Sequence, residues 1–403
     1  MLQKILHWVD ERFPLISLWD EHMAKYYAPK NLNFWYFFGA LALFVLVNQI
    51  LTGIWLTMNY NPSGDGAFDS VEYIMRDVKG GWLLRYCHST GASFFFIVVY
   101  LHMFRGLLYG SYKKPREFLW ILGMFIFLCL MAEAFFGYLL PWGNMSLWGA
   151  QVITSLFSAI PWVGESLVEW IRGDYNVSGI TLNRFFSLHV IAVPLVFVGL
   201  VVLHIVALHQ VGSNNPEGIE IKKQKDDQGR PLDGIPFHPY YVVKDIAGLG
   251  VFLFLFFMVV FFWPEGGGYF LEAPNFEPAN ALKTPEHIAP VWYMTPYYAM
   301  LRAIPDKLLG VIVMGAAIGI LFLLPWLDRS PVKSIRYRGW IYKAALWTFV
   351  LSFVVLGYLG AKPPTELRTF FARLFTILYF LFFLAMPIYT TFEKYKPVPS
   401  RLA

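Results

Sequence analysis

Seven stretches of this chain contain no Asp, Glu, Lys or Arg: residues 31–64, 86–104, 185–208, 246–264, 308–327, 344–361 and 374–392. Each is near or above the roughly 18–20 apolar residues needed to cross a bilayer as a helix. An eighth, 118–140, is apolar apart from Glu133. The balance of residues agrees: 57% are hydrophobic and 15% are charged, where a soluble domain carries about 25% charged. The chain reads as an all-α integral membrane protein. Eight transmembrane helices are expected at about 34–58, 83–109, 117–139, 184–209, 245–263, 307–327, 341–360 and 366–392.

The remaining charge orients the chain. Lys and Arg cluster in the N-terminus, in 113–116, in 222–230 and in 329–338. With eight alternating helices these segments share one side, and the positive-inside rule makes it cytoplasmic, with both termini. The basic patches flank membrane spans, which argues against nucleic acid as a partner. Residues 1–30, beginning MLQKILHWVDERF, read as an amphipathic interfacial segment with no cleavable signal peptide. The polar stretch 212–244 reads as a cytoplasmic loop between an N-terminal half, 31–211, and a C-terminal half, 245–403. Two long loops, 140–183 and 264–306, face the opposite compartment; long loops are often functional. Short surface helices are expected at 144–157 and 163–172. Cys87 and Cys129 fall inside spans and imply neither a disulfide nor a zinc site.

Four histidines lie within the spans. His88 and His102 are 14 residues apart on the second, and His189 and His204 are 15 apart on the fourth. Fourteen residues advance an α-helix about 3.9 turns and roughly 21 Å. Each pair therefore occupies one helix face, with one member towards each side of the membrane. If the two parallel helices face each other, His88 meets His189 and His102 meets His204. Two opposed imidazole pairs suit two bis-histidine haems, whose filled axial positions leave no site for oxygen. The bland alternative is four core or proton-path histidines; the matched register favours haem. Gly39 and Gly53 on the first span, and Gly123 and Gly137 on the third, repeat the interval of 14. Glycine removes the side chain where a macrocycle edge approaches backbone, though small-residue packing is common between membrane helices. Arg85 and Arg105 sit at the two depths where haem propionates need partners, although arginines also snorkel at helix ends.

Longer motifs carry a resemblance over nearly the whole chain. RYCHSTGASFFF (85–96), HMFRGLLYGSY (102–112), GYLLPWGNMSLWGAQVIT (137–154), HQVGSNNPEG (209–218), IPFHPYYVVKD (235–245) and PVWYMTPYYAMLRAIPDK (290–307) are similar to cytochrome b of the cytochrome bc1, or ubiquinol–cytochrome c reductase, complex. The resemblance implies eight helices, the first four forming a di-haem bundle. His88 and His189 would ligate an outer, low-potential b-type haem, and His102 and His204 an inner, high-potential one. Arg85, Arg105 and Ser111 match haem-propionate partners. Tyr138, Gly149, Pro290, Trp292, Tyr293 and Tyr298 match a quinol-oxidising site, with Tyr138 and Tyr293 as catalytic candidates. His209, Ser213 and Asp245 match a quinone-reducing site. One electron from quinol would pass to a Rieske iron–sulfur protein. The other would cross the membrane through both haems to the quinone-reducing site, building proton-motive force. Further implied are cytochrome c1 as a partner, a homodimeric complex, and a place in the respiratory chain of a cell inner membrane; the valine at 291 and the extended cytoplasmic loop lean toward a bacterial source.

Three features depart from the family pattern. The fourth span spaces its histidines by 15 residues, where the respiratory family usually has 14; a π-bulge near Pro194 would absorb the extra one. The PEWY motif reads Pro290-Val291-Trp292-Tyr293, so the glutamate thought to take a quinol proton is absent. Glu133 stands where the family usually has a small or hydroxylated residue. Quinol oxidation needs a proton acceptor, and the two candidates are Glu133, an acid at membrane depth, and Glu286, in a loop fixed by Pro285 and Pro290. Glu133 could instead make a structural hydrogen bond, and Glu286 could be a solvated loop acid. Two other functions compete. A di-haem electron shuttle or membrane anchor of another oxidoreductase would not need the last four helices or the PVWY loop. A transporter would lack haem.

Overall fold

A computed structural model describes residues 1–402. Among them, eight helices are long and apolar enough to cross a membrane: α1 Phe34–Thr57, α2 Gly81–Tyr109, α3 Glu117–Leu139, α4 Gly179–Val211, α5 Tyr240–Phe262, α6 Lys307–Leu327, α7 Trp340–Gly360 and α8 Glu366–Leu384. The expected membrane architecture is the observed one.

Local chemistry explains where the boundaries differ from expectation. α4 starts several residues early because Ser178 and Thr181 form a reciprocal capping box, which satisfies free N–H groups of the first turn. The last span does not run unbroken to residue 392; α8 stops at Leu384 and a separate helix covers Met386–Phe392. Pro387 has no N–H for the carbonyl four residues back and clashes with it, so the helix breaks there. Within α4, Leu188–Ala192 form a π-helical turn just before Pro194. Pro194 cannot donate to residue 190, and the wider turn takes up one extra residue. The spacing of 15 between His189 and His204 is thereby returned to nearly one helix face. Surface helices at Asn144–Ser155 and Gly164–Arg172 match those expected in the loop after α3.

The first four helices form two close pairs. α1 packs on α2 and α3 packs on α4, whereas neither α2 and α4 nor α1 and α3 pack closely on each other. A slot therefore runs between the pairs. α5 leans on α1 and α2, α6 on α3, and α7 and α8 pack together around the short helix Thr295–Ala303. The two halves are thus one packed body. The N-terminal segment joins it through a two-stranded pairing of Tyr27–Pro29 with Gly234–Pro236, which ties residues 1–30 to the loop before α5.

One polar knot pins the halves together. Fully buried Arg338 donates to Asp328 Oδ2 at 2.8 Å and Oδ1 at 3.2 Å, reaches Glu393 at 2.6 Å and stacks 3.7 Å above Tyr342. Tyr112, just after α2, donates to Asp328 at 2.7 Å. Removing one partner of a buried ion pair leaves an uncompensated charge, which costs about 3–5 kcal/mol. Arg338→Met is therefore expected to lower thermal stability strongly in detergent, read by loss of monodispersity on heating; Arg336→Met, beside it but exposed, is the matched control.

Candidate functional site

The slot between the helix pairs brings the four membrane histidines together two by two. The His88 and His189 rings face each other with centroids 6.2 Å apart, and His102 and His204 do so at 6.4 Å. Such separations leave about the space that one metal ion with a bond of about 2 Å to each ring occupies. Nδ1 of His88 lies 2.9 Å from the Thr52 hydroxyl, which itself donates to the Asn48 carbonyl at 2.6 Å. His189 Nδ1 lies 2.9 Å from the Glu133 carbonyl and 3.1 Å from its carboxylate. A neutral imidazole whose Nδ1 proton is given to such acceptors keeps Nε2 free as a ligand.

The four glycines line the same slot. A Cβ added at Gly39 would lie 3.3 Å from His102, at Gly53 3.2 Å from His88, at Gly123 3.4 Å from His204 and at Gly137 2.5 Å from His189. Each glycine thus faces one histidine ring edge, and the flat space beside the ring is where a macrocycle would lie. Opposed imidazoles, missing side chains and apolar walls together fit a haem at each pair. Arg85 lines the cavity of the first pair. Arg105, near the second, donates to the Asn214 carbonyl at 3.2 Å, and Asn214 donates to the Ser111 hydroxyl at 3.0 Å.

The His88–His189 slot opens into a cavity of about 260 Å³ that is also lined by Glu133, Gly137, Tyr138, Leu271, Asn275, Val291 and Tyr293. Its walls are built by pairing between two distant segments. Backbone of the loop after α5 bonds to that following α3: Asn144 N–H donates to Glu277 at 2.9 Å and Ala279 N–H to Trp142 at 3.0 Å. Asn275 Oδ1 accepts from the Ser146 N–H at 2.8 Å, so close that a side chain at Gly143 would collide with it. This clamp brings Glu272 against Tyr138, whose hydroxyl donates to Glu272 Oε2 at 2.5 Å. Burial pushes the Glu272 carboxyl up to about 7, against the opposing pull of the Tyr138 hydroxyl. A Cβ added at Gly149 would lie 3.6 Å from the Tyr138 ring. The Tyr293 ring stacks on Phe96 at 3.8 Å, its carbonyl accepts from Tyr100 at 2.6 Å, and Trp292 donates to Ser93 at 3.1 Å. Tyr298 holds the Ile288 carbonyl at 3.2 Å, which secures the turn leading to Pro290.

The two acids singled out by sequence stand differently. Glu133 lines the cavity, but its carboxylate lies against His189. Glu286 is exposed and lies outside the cavity wall. Sequence reasoning missed Glu272. Its only signal was an acid directly after the apolar run Tyr269-Phe270-Leu271.

At the opposite end of the slot, the N-terminal segment meets the end of α4. Tyr26 packs on the His209 ring with centroids 4.5 Å apart, and its hydroxyl lies 3.0 Å from the Ser213 hydroxyl. Asp245 on α5 faces the Tyr36 hydroxyl. Tyr26 is a second residue that sequence reasoning did not single out.

Comparison with known proteins gives this geometry its family. Family models described as "Cytochrome b/b6/petB" and "Cytochrome b(C-terminal)/b6/petD" match residues 23–212 and 278–380. A cytochrome b of Allochromatium vinosum is 62% identical over 405 residues, covering 98% of this chain and 98% of its own length. A cytochrome b of Rhodospirillum rubrum is 53% identical over 401 residues, 99% of this chain and 96% of its own. Among solved structures, a chain of a hyperthermophilic respiratory complex III superposes with a TM-score of 0.89 at 41% identity, covering 96% of this chain and 99% of that one. With both halves matched in order and relatives aligned end to end, the chain belongs to the cytochrome b family, as the cytochrome b of a bc1-type complex III.

Proposed function

We propose that the chain oxidises quinol in the cavity beside His88 and His189 and supports quinone reduction near His209, Ser213 and Asp245. One observation carries the reading: a single apolar cavity is lined by a histidine pair and by Tyr138, Val291 and Tyr293. The haems held by His88 with His189 and by His102 with His204 supply one-electron carriers at two membrane depths.

The chain's own residues position the quinol and take its proton. Phe96 and Tyr293, stacked ring on ring, form a flat apolar wall for a quinol head. Tyr138 supplies a polar edge, with Glu272 hydrogen-bonded to its hydroxyl behind the cavity wall. Quinol oxidation releases two electrons and two protons, and a carboxylate whose affinity for protons is near neutral is suited to take one. Val291, at the usual acid position, cannot. Glu272 can, and its neighbours Ala273 and Phe276 are exposed, which gives a short exit to water. Of the two electrons, one would go to a Rieske iron–sulfur protein at the loops after α3 and α5, and the other to the one-electron carrier that His88 and His189 would hold. Cytochrome c1, a second copy of the complex, a cell inner membrane and cytoplasmic termini complete the proposal. At the other end, Asp245, Tyr26 and His209 offer an acid and polar rings to a quinone taking up protons from the cytoplasmic side.

The test is quinol–cytochrome c reductase activity of the purified complex, blocked by outer-site inhibitors. Activity without that sensitivity contradicts the proposed site. Gly137 gives a second check. A side chain there meets His189 at 2.5 Å, whereas one at Gly199 meets nothing within 4 Å. Gly137→Val is expected to lose about half of the b-type absorbance and Gly199→Val to keep it, measured against protein by pyridine haemochrome.

A further inference from the structure

The Nδ1 of His189 is hydrogen-bonded to the Glu133 backbone carbonyl, and the Glu133 carboxylate stands within ion-pair distance of the same nitrogen without a hydrogen bond of its own. The Glu133 backbone carbonyl is 2.9 Å away and the Glu133 carboxylate is 3.1 Å away. The contact is side-specific. His88, opposite, has only the neutral Thr52 hydroxyl. Among the described residues, no carboxylate forms an ion pair or hydrogen bond with His102 or His204, and His102 Nδ1 is buried without a partner. Arginine does not distinguish the two pairs, because Arg85 neighbours His88 and Arg105 neighbours His102. Among the described residues, Glu133 is therefore the carboxylate whose ion-pair contact distinguishes the His88–His189 pair from the other.

The carboxylate is also held in place. It projects from α3 one turn before Gly137 and lines the slot, and α3 packs along α4 through the π-helical turn that carries His189. The Glu133 backbone carbonyl accepts from the His189 ring carried by that turn, and the carboxylate lies beside the same nitrogen.

We propose that Glu133 is a positioning residue that sets the reduction potential of the haem held by His88 and His189. An acceptor on the distal nitrogen fixes the tautomer and makes the ligating nitrogen a stronger donor. A stronger donor with a negative charge behind it stabilises the oxidised iron more than the reduced iron, and so lowers the potential. The fold thus sets the two histidine pairs apart, and the Glu133 carboxylate is the charged part of that difference. The inference rests on these four histidines being haem ligands.

The experiment is a potentiometric titration of the b-type absorbance in the intact complex, with low-temperature electron paramagnetic resonance of the oxidised haems. Glu133→Gln keeps the shape and removes the charge. It should favour the reduced form of one haem about tenfold, about 59 mV for one electron, and shift that haem's low-spin signal. The other haem should not move. Glu133→Ala, which keeps the backbone carbonyl acceptor, should shift the same component in the same direction. Unchanged potentials and signals in variants that retain both haems overturn the proposal. So does failure of both variants to retain the affected haem, since the carboxylate would then be structural. Absence of any b-type spectrum in the unaltered complex would instead overturn the ligand assignment beneath it.

Discussion

His189→Leu should remove one of two b-type haem components and reduce quinol oxidation to background. The expectation follows from the slot. His189 faces His88 across 6.2 Å, and the other opposed histidines, His102 and His204, face each other across 6.4 Å. Leucine keeps apolar bulk and helix propensity, so α4 can still pack on α3, and the second pair is untouched. His204→Leu makes the matched case, removing the other component, because His102 and His204 are opposed in the same way. Redox-resolved optical spectra of the two purified variants check this: each should retain one component, and not the same one. Equal loss of both components in either variant would mean that the histidines build the bundle and do not ligate separately.

Glu272→Gln should slow quinol oxidation about a hundredfold, the scale of a lost general base, with both haem spectra intact. The pH dependence gives the sign. Burial places the Glu272 carboxyl at about 7. Only the carboxylate can accept a proton, so the wild-type rate should fall as pH drops below about 7 and level off above it. The Gln variant should lose that inflection. Glu286 is exposed and outside the cavity, so Glu286→Gln should change the rate less than about twofold. The reverse ranking of these two variants would move the proton acceptor from the partner of Tyr138 to the exposed loop.

The parts of the fold that were legible in sequence depend on near neighbours. A charge-free run reports its membrane span because lipid penalises each charge locally, and the register of His88, His102, His189 and His204 follows from helix periodicity. The extra residue in α4 was readable because Pro194 marks where the helix can widen. Glu272 was not readable. Nineteen residues separate it from Val291, and only the pairing of its loop with Trp142, Asn144 and Ser146 brings it to Tyr138. No periodicity encodes such a clamp. Tyr26 was hidden for the same reason, since it reaches His209 and Ser213 through the pairing of Tyr27–Pro29 with Gly234–Pro236. The break before Pro387 carried a local signal, which the unbroken apolar composition around it masked.

The most direct measurement is a potentiometric titration of the reduced-minus-oxidised spectrum of the purified protein. Two one-electron steps, each with b-type absorbance, are expected from the two histidine pairs. A single step, or no haem absorbance at all, would contradict the account.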